Sequence, residues 1–240
     1  MKTVITGLFL GFLVLSNQPA TAQGELVGNG QLVKQQRTIG SFSKLTVRVG
    51  MRVLITSGNA QQAELEGESN VLEHVLTQVK NGELTVTLNE KITAKQTKAV
   101  TVTIHVPKLD KVLVSTGCVV TSELPLVADN LTLSVETGSA LTAPITTKKL
   151  TLTVKEGSKA SIQGTATSAV IQLTAAGRLD APRLTINRAD VKLESASQAT
   201  IHVTETLSAS ADGVSTITYA GNPSITSQEA TGMSRIRKQS

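Results

Sequence analysis

Between Asp110 and Ala220 one short arrangement of apolar and polar residues recurs about every twenty positions. Its clearest copies are Leu133–Pro144, LSVETGSALTAP, and Ile171–Pro182, IQLTAAGRLDAP. Each opens with two aliphatic residues separated by a polar one, passes through a small-residue turn, and ends Leu-x-Ala-Pro. Anchored on the second aliphatic position, the series runs Val114, Val135, Val154, Leu173, Leu193 and Ala209, with steps of 21, 19, 19, 20 and 16 residues. Two positions earlier stand Val112, Leu133, Leu152, Ile171, Val191 and Leu207, all aliphatic. Residues two apart on a strand share a face, so both columns can enter one core, while the mostly polar positions between them face water. Three and four positions after the anchor the residues are small, as in Gly138-Ser139 and Gly157-Ser158, which suits a corner. Eight positions after the anchor, Ser122, Ala143, Ile162, Ala181, Ile201 and Ile217 form a weaker column for a second wall.

A unit of about twenty residues is too short for a βαβ crossover, which needs roughly 30 or more, and no helical period appears in this half. Stacked coils of parallel strands bury such columns, each coil covering the row of the next. The expected fold is all-β: a right-handed parallel β-helix, or solenoid, with an irregular β-rich N-terminal part. At about 4.8 Å per strand, six coils over 110–220 rise roughly 25–30 Å. The competing architecture is an antiparallel sandwich. The expected division is a signal peptide over 1–22, a β-rich segment or cap over 23–109, and coils with a closing segment over 110–240. Residues 23–240 together make one domain. Tyr219 to Ile236 is expected to close the far end.

Upstream, the pattern is less regular. Residues 24–40 are polar, with a turn at Gly28-Asn29-Gly30. Leu45, Val47 and Val49 alternate with polar residues, Gly50 interrupts the phase as a bulge or sharp bend, and Val53 and Ile55 resume it before Ser57-Gly58-Asn59. Ala63, Leu65 and Gly67 mark a further strand. Asn70 to His74 fits a short helical turn with Asn70 as its cap. Leu76–Val79 and Leu84–Leu88 flank Asn81-Gly82, the dipeptide that supplies the positive φ angles of a type I′ hairpin. After a polar, basic loop over 91–98, Val100, Val102, Ile104 and Val106 alternate with Thr101, Thr103 and His105 until Pro107.

The beginning of the chain sets its destination. Lys2, the apolar run Val4–Leu15 and the exit Ala20-Thr21-Ala22 describe a secretory signal peptide cleaved after Ala22. The run is short of the roughly 20 apolar residues a membrane span requires. Cleavage removes one basic residue, Lys2, and no acidic one, so the net charge falls from +5 to +4. Apart from Arg235, Arg237 and Lys238 the remaining charge is scattered, which argues against nucleic acid as a partner. The mature chain keeps Phe42 and Tyr219 as its aromatics and has no Trp, so it lacks platforms for stacking bases or sugar rings. Cys118 is the sole cysteine, and the exported protein must draw stability from its core rather than from a disulfide.

Several of these stretches together resemble a known family. Gly28-Asn29-Gly30, Phe42-Ser43-Lys44-Leu45-x-Val47 running into Val53-x-Ile55-x-x-Gly58, Asn81-Gly82-x-Leu84, and Val102-x-Ile104-x-Val106-Pro107-x-Leu109 carry the likeness, with Tyr219-x-Gly221-x-Pro223 and Gly232-Met233-Ser234-Arg235-Ile236 at the end. Over 25–236 the chain is similar to the putative auto-transporter adhesin, head GIN domain family of exported bacterial proteins. The resemblance implies a β-helical fold, export in Bacteroidetes-type bacteria and adhesion. It transfers no catalytic residue. Cys118-Val119 departs from the small or polar residue the family has after the glycine.

The residues themselves assemble no chemistry. Polysaccharide cleavage on a β-helix needs carboxylates converging on one groove. Glu136 and Glu194 share a column, but Lys155 and Thr174 separate them, and Glu136 is placed to pair with Lys155 on the adjacent coil. Asp180, Asp190 and Asp212 fall at different phases of the repeat. His74, His105 and His202 lack ligand spacing with Cys118, which reads as a buried structural thiol. No catalytic, cofactor-binding or metal residues are expected, and no cofactor. The expected function is that of an exported, non-enzymatic β-solenoid serving adhesion or cell-surface interaction, with a glycan or protein of a surface or envelope as partner. A polysaccharide-active enzyme and a purely structural envelope protein are the alternatives. Any specific recognition is expected in loops such as 91–98 or on one exposed wall.

Overall fold

A coil can bury its aliphatic row only against the row of a neighbour, and the register of the strands shows that arrangement throughout. The computed structural model describes residues 24–58, 62–89, 91–95, 98–106 and 108–239. The proposed signal peptide, the tip of the Ser57-Gly58-Asn59 turn, Pro107 and part of the 91–98 loop lie outside them. In chain order the elements are β1 (Gly24–Val27), β2 (Leu32–Thr38), β3 (Lys44–Val47), β4 (Arg52–Thr56), β5 (Gln62–Glu68), α1 (Ser69–Leu72), β6 (Val75–Lys80), β7 (Glu83–Leu88), β8 (Ile92–Lys95) and β9 (Thr101–His105). There follow β10 (Lys111–Val114), β11 (Val119–Ser122), β12 (Leu126–Val135), β13 (Ala140–Lys155), β14 (Lys159–Thr174), β15 (Arg178–Leu193), β16 (Gln198–Ala211), β17 (Thr216–Ala220), β18 (Ser224–Ala230) and β19 (Arg235–Lys238).

From β10 onward every pairing is parallel, one coil upon the next, in a β-solenoid of about 7 turns. One column runs Val112, Leu133, Leu152, Ile171, Val191 and Ala209, and its companion runs Val114, Val135, Val154, Leu173, Leu193 and Ala211. Every member is at most 2 % exposed. Residues 131–135 pair in parallel with 150–154, which excludes the antiparallel sandwich. The last anchor is Ala211 rather than the expected Ala209. A slip of two residues keeps every side chain on its face, so alternation alone does not separate Leu207-x-Ala209 from Ala209-x-Ala211. The second wall follows suit: Ile201 pairs with Tyr219, and Ile217 belongs to the column Val120, Leu141, Ala160, Leu179 and Ala199. A third wall stacks Ala128, Thr147, Ala166, Ile186 and Val203.

The stack also begins before residue 110. Leu45 and Val47 of β3 lie in register beneath Val112 and Val114, and Val53 of β4 lies beneath Val120. Below them, Leu84 and Val86 of β7 continue under β3, and Val102 of β9 under β4. Stacking order therefore departs from chain order: the chain lays one coil, passes beneath it to lay another, and returns to build upward. The lower rim is covered by antiparallel strands, β6 on β7 and β5 on β9, with β2 outside β5. Covering an edge in this way denies it to other chains. The hairpin forms as expected, with Asn81 and Gly82 at φ 52° and 71°.

Three local features refine the picture, and one corrects it. The polar stretch 24–40 contains β1 and β2; both are so exposed that no apolar alternation marks them. The helical turn starts at Ser69, and Asn70 does not cap it, because its side chain is held by the backbone: it donates to Val27 C=O at 2.8 Å and accepts from Asn29 N–H at 3.2 Å. The Gly28-Asn29-Gly30 turn wraps the buried Glu68 carboxylate, with Gly30 N–H donating to Glu68 Oε1 at 2.7 Å, and a Cβ at Gly28 would lie 2.0 Å from Glu68 Oε2. Finally, Tyr219–Ile236 lies at the far end of the stack. It is one more coil, β18 upon β16 and β19 upon β17, in which Gln228 and Lys238 take the column positions of Ala209 and Tyr219. A β-bulge, inward polar residues and the basic Arg235 and Arg237 make this upper rim a poor template for another strand.

One corner repeats in each coil and holds the stack together. In most coils two successive residues there take positive φ, as do Thr137 and Gly138 at 56° and 67°, Glu156 and Gly157 at 57° and 69°, and Ala175 and Ala176 at 49° and 62°. Corner peptides bond between coils, as in Gly138 N–H to Glu156 C=O at 2.9 Å and Gly157 N–H to Ala175 C=O at 2.9 Å. Just inside stands a ladder of short side chains. Ser139 Oγ accepts from Cys118 N–H at 3.2 Å, Ser158 Oγ from Ser139 N–H at 3.1 Å, and Ser215 Oγ from Ser197 N–H at 3.2 Å. Cys118 Sγ performs the same task for Met51 N–H at 3.4 Å. Gly177 interrupts the ladder, because a Cβ there would sit 2.3 Å from the Val154 carbonyl oxygen. Ser158 N–H accordingly turns to its own corner, donating to Lys155 C=O at 3.3 Å.

Two predictions follow from the corner. Gly138 has open space around its missing Cβ, so Gly138→Ala carries only the conformational cost, about 1 kcal/mol of stability, whereas Ala176→Gly recovers a similar amount; urea denaturation of both variants measures the two signs. Burial pushes the Cys118 thiol up to about 11 from its ordinary 9.0, against bonds from the Met51 and Gly50 backbone that lower it. A thiol raised in the folded state stays protonated while the unfolded chain ionises, so stability falls as pH rises from about 9 and levels off above about 11, by about 2–3 kcal/mol. Cys118→Ser removes that slope, and denaturation of both proteins at pH 8 and pH 11 reads the difference.

Candidate functional site

The backbone of each wall is consumed in bonds between coils, so what the solenoid offers outward is side chains alone. On the first wall these include Thr132 and Thr151, then Ser134 and Thr153, in register on neighbouring coils. Glu136 and Lys155 follow, with Lys155 Nζ 2.7 Å from Glu136 Oε2, and the hydrogen bond and charge of Glu136 hold the lysine pKa above its ordinary value. Glu194 is engaged by Lys192 at 2.7 Å. Asp212 accepts from the Thr231 hydroxyl at 2.5 Å, and this bond, with one from Gly213 N–H, holds its carboxyl below the usual value.

The structure does not bring the other candidate groups together. Asp180 stands in the second-wall column of Ser161 and Thr200, whereas Asp190 stands on the first wall between Val170 and Ser208. His105 Nδ1 is 2.9 Å from the Ser57 carbonyl, and His202 lies beside Thr185 on another face. Cys118 is fully buried in the corner ladder. Among the described residues no three His, Cys, Asp or Glu side chains are placed to hold a metal ion.

The third wall carries an open groove of about 620 Å³. Its floor is the inward column Ala128, Thr147 and Ala166, whose small side chains leave the wall recessed. Thr147 is buried there, its hydroxyl shared between Asp129 C=O at 3.3 Å and Lys149 C=O at 3.1 Å. Along the groove Val127, Thr146, Thr165 and Thr185 succeed one another in register on four coils. Gly164, at φ 112°, makes this possible: a Cβ would meet the Ile145 carbonyl oxygen at 2.1 Å. Lys108 overhangs one end, tied to Asp110 at 3.4 Å. An exposed ion pair, Lys148 with Asp129 at 3.1 Å, edges the side, and Asn187 donates to Glu205 at 2.7 Å near the other end.

The groove does not stand out in the sequence, because the aliphatic columns dominate the period. Its own signal is present: 127, 146, 165 and 185 are spaced 19, 19 and 20, the same period as the anchors. No lone residue in it is unusual for a strand surface, and only the stacking turns the threonines into a row.

Comparison with known proteins places the fold. A putative adhesin of Bacteroides fragilis superimposes with a TM-score of 0.83 at 21 % identity, covering 89 % of this chain and 100 % of its own. A putative adhesin of Parabacteroides merdae gives 0.67 at 18 % identity, covering 90 % and 99 %, and a putative lipid binding protein of Parabacteroides distasonis gives 0.72 at 15 %, covering 90 % and 100 %. At such identities the likeness concerns the fold. No curated protein matches the chain. Among the described residues no helix is long and apolar enough to cross a membrane. The family model for the putative auto-transporter adhesin, head GIN domain, matches residues 41–223, and the chain belongs to that family.

Proposed function

We propose that this chain is an exported, non-enzymatic adhesion module: a rigid β-solenoid that binds a surface or envelope partner through its outward walls. The observation that carries the reading is the division of labour across each wall. Inward positions are committed to a single buried cluster running from Ile39 to Ile217, whereas outward positions carry many threonine and serine hydroxyls, among charged residues, set at fixed spacing. That surface needs no rearrangement to meet a partner, which limits the entropic cost of binding. Membership of an adhesin family supports the same reading. So does the engagement of Glu136 and Glu194 in ion pairs along the first wall, an arrangement that serves the wall rather than a reaction. Residues 23–240 act in this reading as one domain, delivered by the N-terminal signal sequence.

The test is an array of glycans and host-matrix proteins probed with the mature chain. Saturable retention on a defined subset, lost when the protein is unfolded, is expected. Release of products from a polysaccharide, abolished by Glu136→Gln or Asp180→Asn, would contradict it and make the protein an enzyme.

A further inference from the structure

The third-wall groove offers a more definite chemistry than the walls around it. Of the groove threonines, Thr147 spends its hydroxyl on the backbone. Thr146, Thr165 and Thr185 do not: among the described residues no hydrogen bond engages their side chains. They lie in strict register on three consecutive coils, about 4.8 Å apart, so the row extends about 10 Å along the solenoid axis. Each hydroxyl can both donate and accept. Thr146 and Thr165 are exposed and Thr185 half-buried, so the row descends into the recess.

The surroundings narrow the ligand. A peptide strand would need free backbone groups to pair with, and here those groups are spent between coils. The threonine methyls with Val127, Ala128 and Ala166 would give an acyl chain apolar contacts, but such a chain laid over the row would strip its hydroxyls of water without giving them a partner. A polyanion is poorly served, because Lys148 and Lys108 are already matched by Asp129 and Asp110. Those exposed ion pairs are weak, worth at most about 1 kcal/mol, and whether closed or open their opposite charges cancel beside the groove. The ligand is therefore neutral, extended, and able to donate and accept hydrogen bonds at regular intervals.

We infer that the groove over Thr146, Thr165 and Thr185 binds a linear neutral glycan, laid along the solenoid axis with its hydroxyls bonded to the threonine row. This rests on the adhesion reading and names its ligand class. The groove, at about 620 Å³, has room for a few sugar rings. Its lining contains no aromatic side chain, so hydroxyls rather than ring stacking carry recognition. Single contacts are then weak, and useful attachment comes from many copies on one surface.

The experiment uses the mature chain with cellohexaose, xylohexaose, mannohexaose and maltohexaose, free in solution and displayed multivalently, with a hyaluronan hexasaccharide as the charged arm. Saturation-transfer NMR reads contact and biosensor retention reads affinity. Three variants accompany the wild type. T146V/T165V/T185V keeps the β-branched shape and removes the hydroxyl row, Thr165→Arg fills the groove, and T132V/T151V makes the same change on the first wall. At least one neutral hexasaccharide is expected to bind. The triple variant should lose tenfold or more in affinity, Thr165→Arg should lose binding, and T132V/T151V should match the wild type, with unfolding midpoints unchanged. Binding unaffected by the triple variant and by Thr165→Arg overturns the inference, as does retention of hyaluronan alone with steep salt dependence. If none of the neutral glycans binds while the wild type and the triple variant adhere equally to matrix protein, the groove assignment falls and the adhesion reading stands. Failure of every ligand on the array overturns both.

Discussion

The fold depends on one constraint: whatever occupies a position in one coil must tolerate a neighbour of the same kind directly above and below it. Parallel strands about 4.8 Å apart permit no staggering of side chains along the stack. A column is therefore filled by aliphatic residues of similar shape, as in Leu133, Leu152 and Ile171. Where a bulky group would collide, the chain yields by losing a Cβ, as at Gly164 and Gly177, or by shifting register, as between Ser161 and Gly164. The corners obey the same rule in polar form. Cys118, Ser139 and Ser158 each present one small acceptor to the amide of the coil beneath, so a buried N–H that the strands do not satisfy still finds a partner.

From that constraint follows the character of the surface. Because backbone and inward side chains are committed to the stack, the outward side chains form rows that repeat with the coil. Such rows suit a ligand that is itself extended, and a recess among them concentrates recognition. The proposed adhesion requires little else: a stiff body, a repeating polar face and protected rims. The antiparallel strands at the lower rim, and the basic, bulged coil at the upper, meet the last requirement. A protein built in this way keeps its coils from adding to those of another copy while leaving its walls accessible.

How much of this was legible depends on where the burial lies. The aliphatic columns from Val112 to Leu193 were readable because both faces of the argument, period and alternation, act on the same residues. The coil of β16 was misread by two residues because Leu207, Ala209 and Ala211 all point inward. The coils of β3–β4 and β7–β9 were recognisable as strands, but their place in the stack was hidden, since sequence order gives no sign that β7 and β9 lie beneath β3 and β4. β1 and β2 left no pattern because they bury little. The threonine row of the groove repeats at the coil period, yet threonine is so common on strand surfaces that only three-dimensional register separates it from the background.

The central claim, a parallel and in-register stack, is tested most directly by engineered disulfides in a Cys118→Ser background. Thr132 and Thr151, and likewise Ser134 and Thr153, face one another across adjacent coils. The account predicts that the pairs T132C/T151C and S134C/T153C both cross-link under mild oxidation, whereas T132C/T153C and S134C/T151C do not. Preferential cross-linking of the latter two pairs would signify antiparallel strands and contradict it.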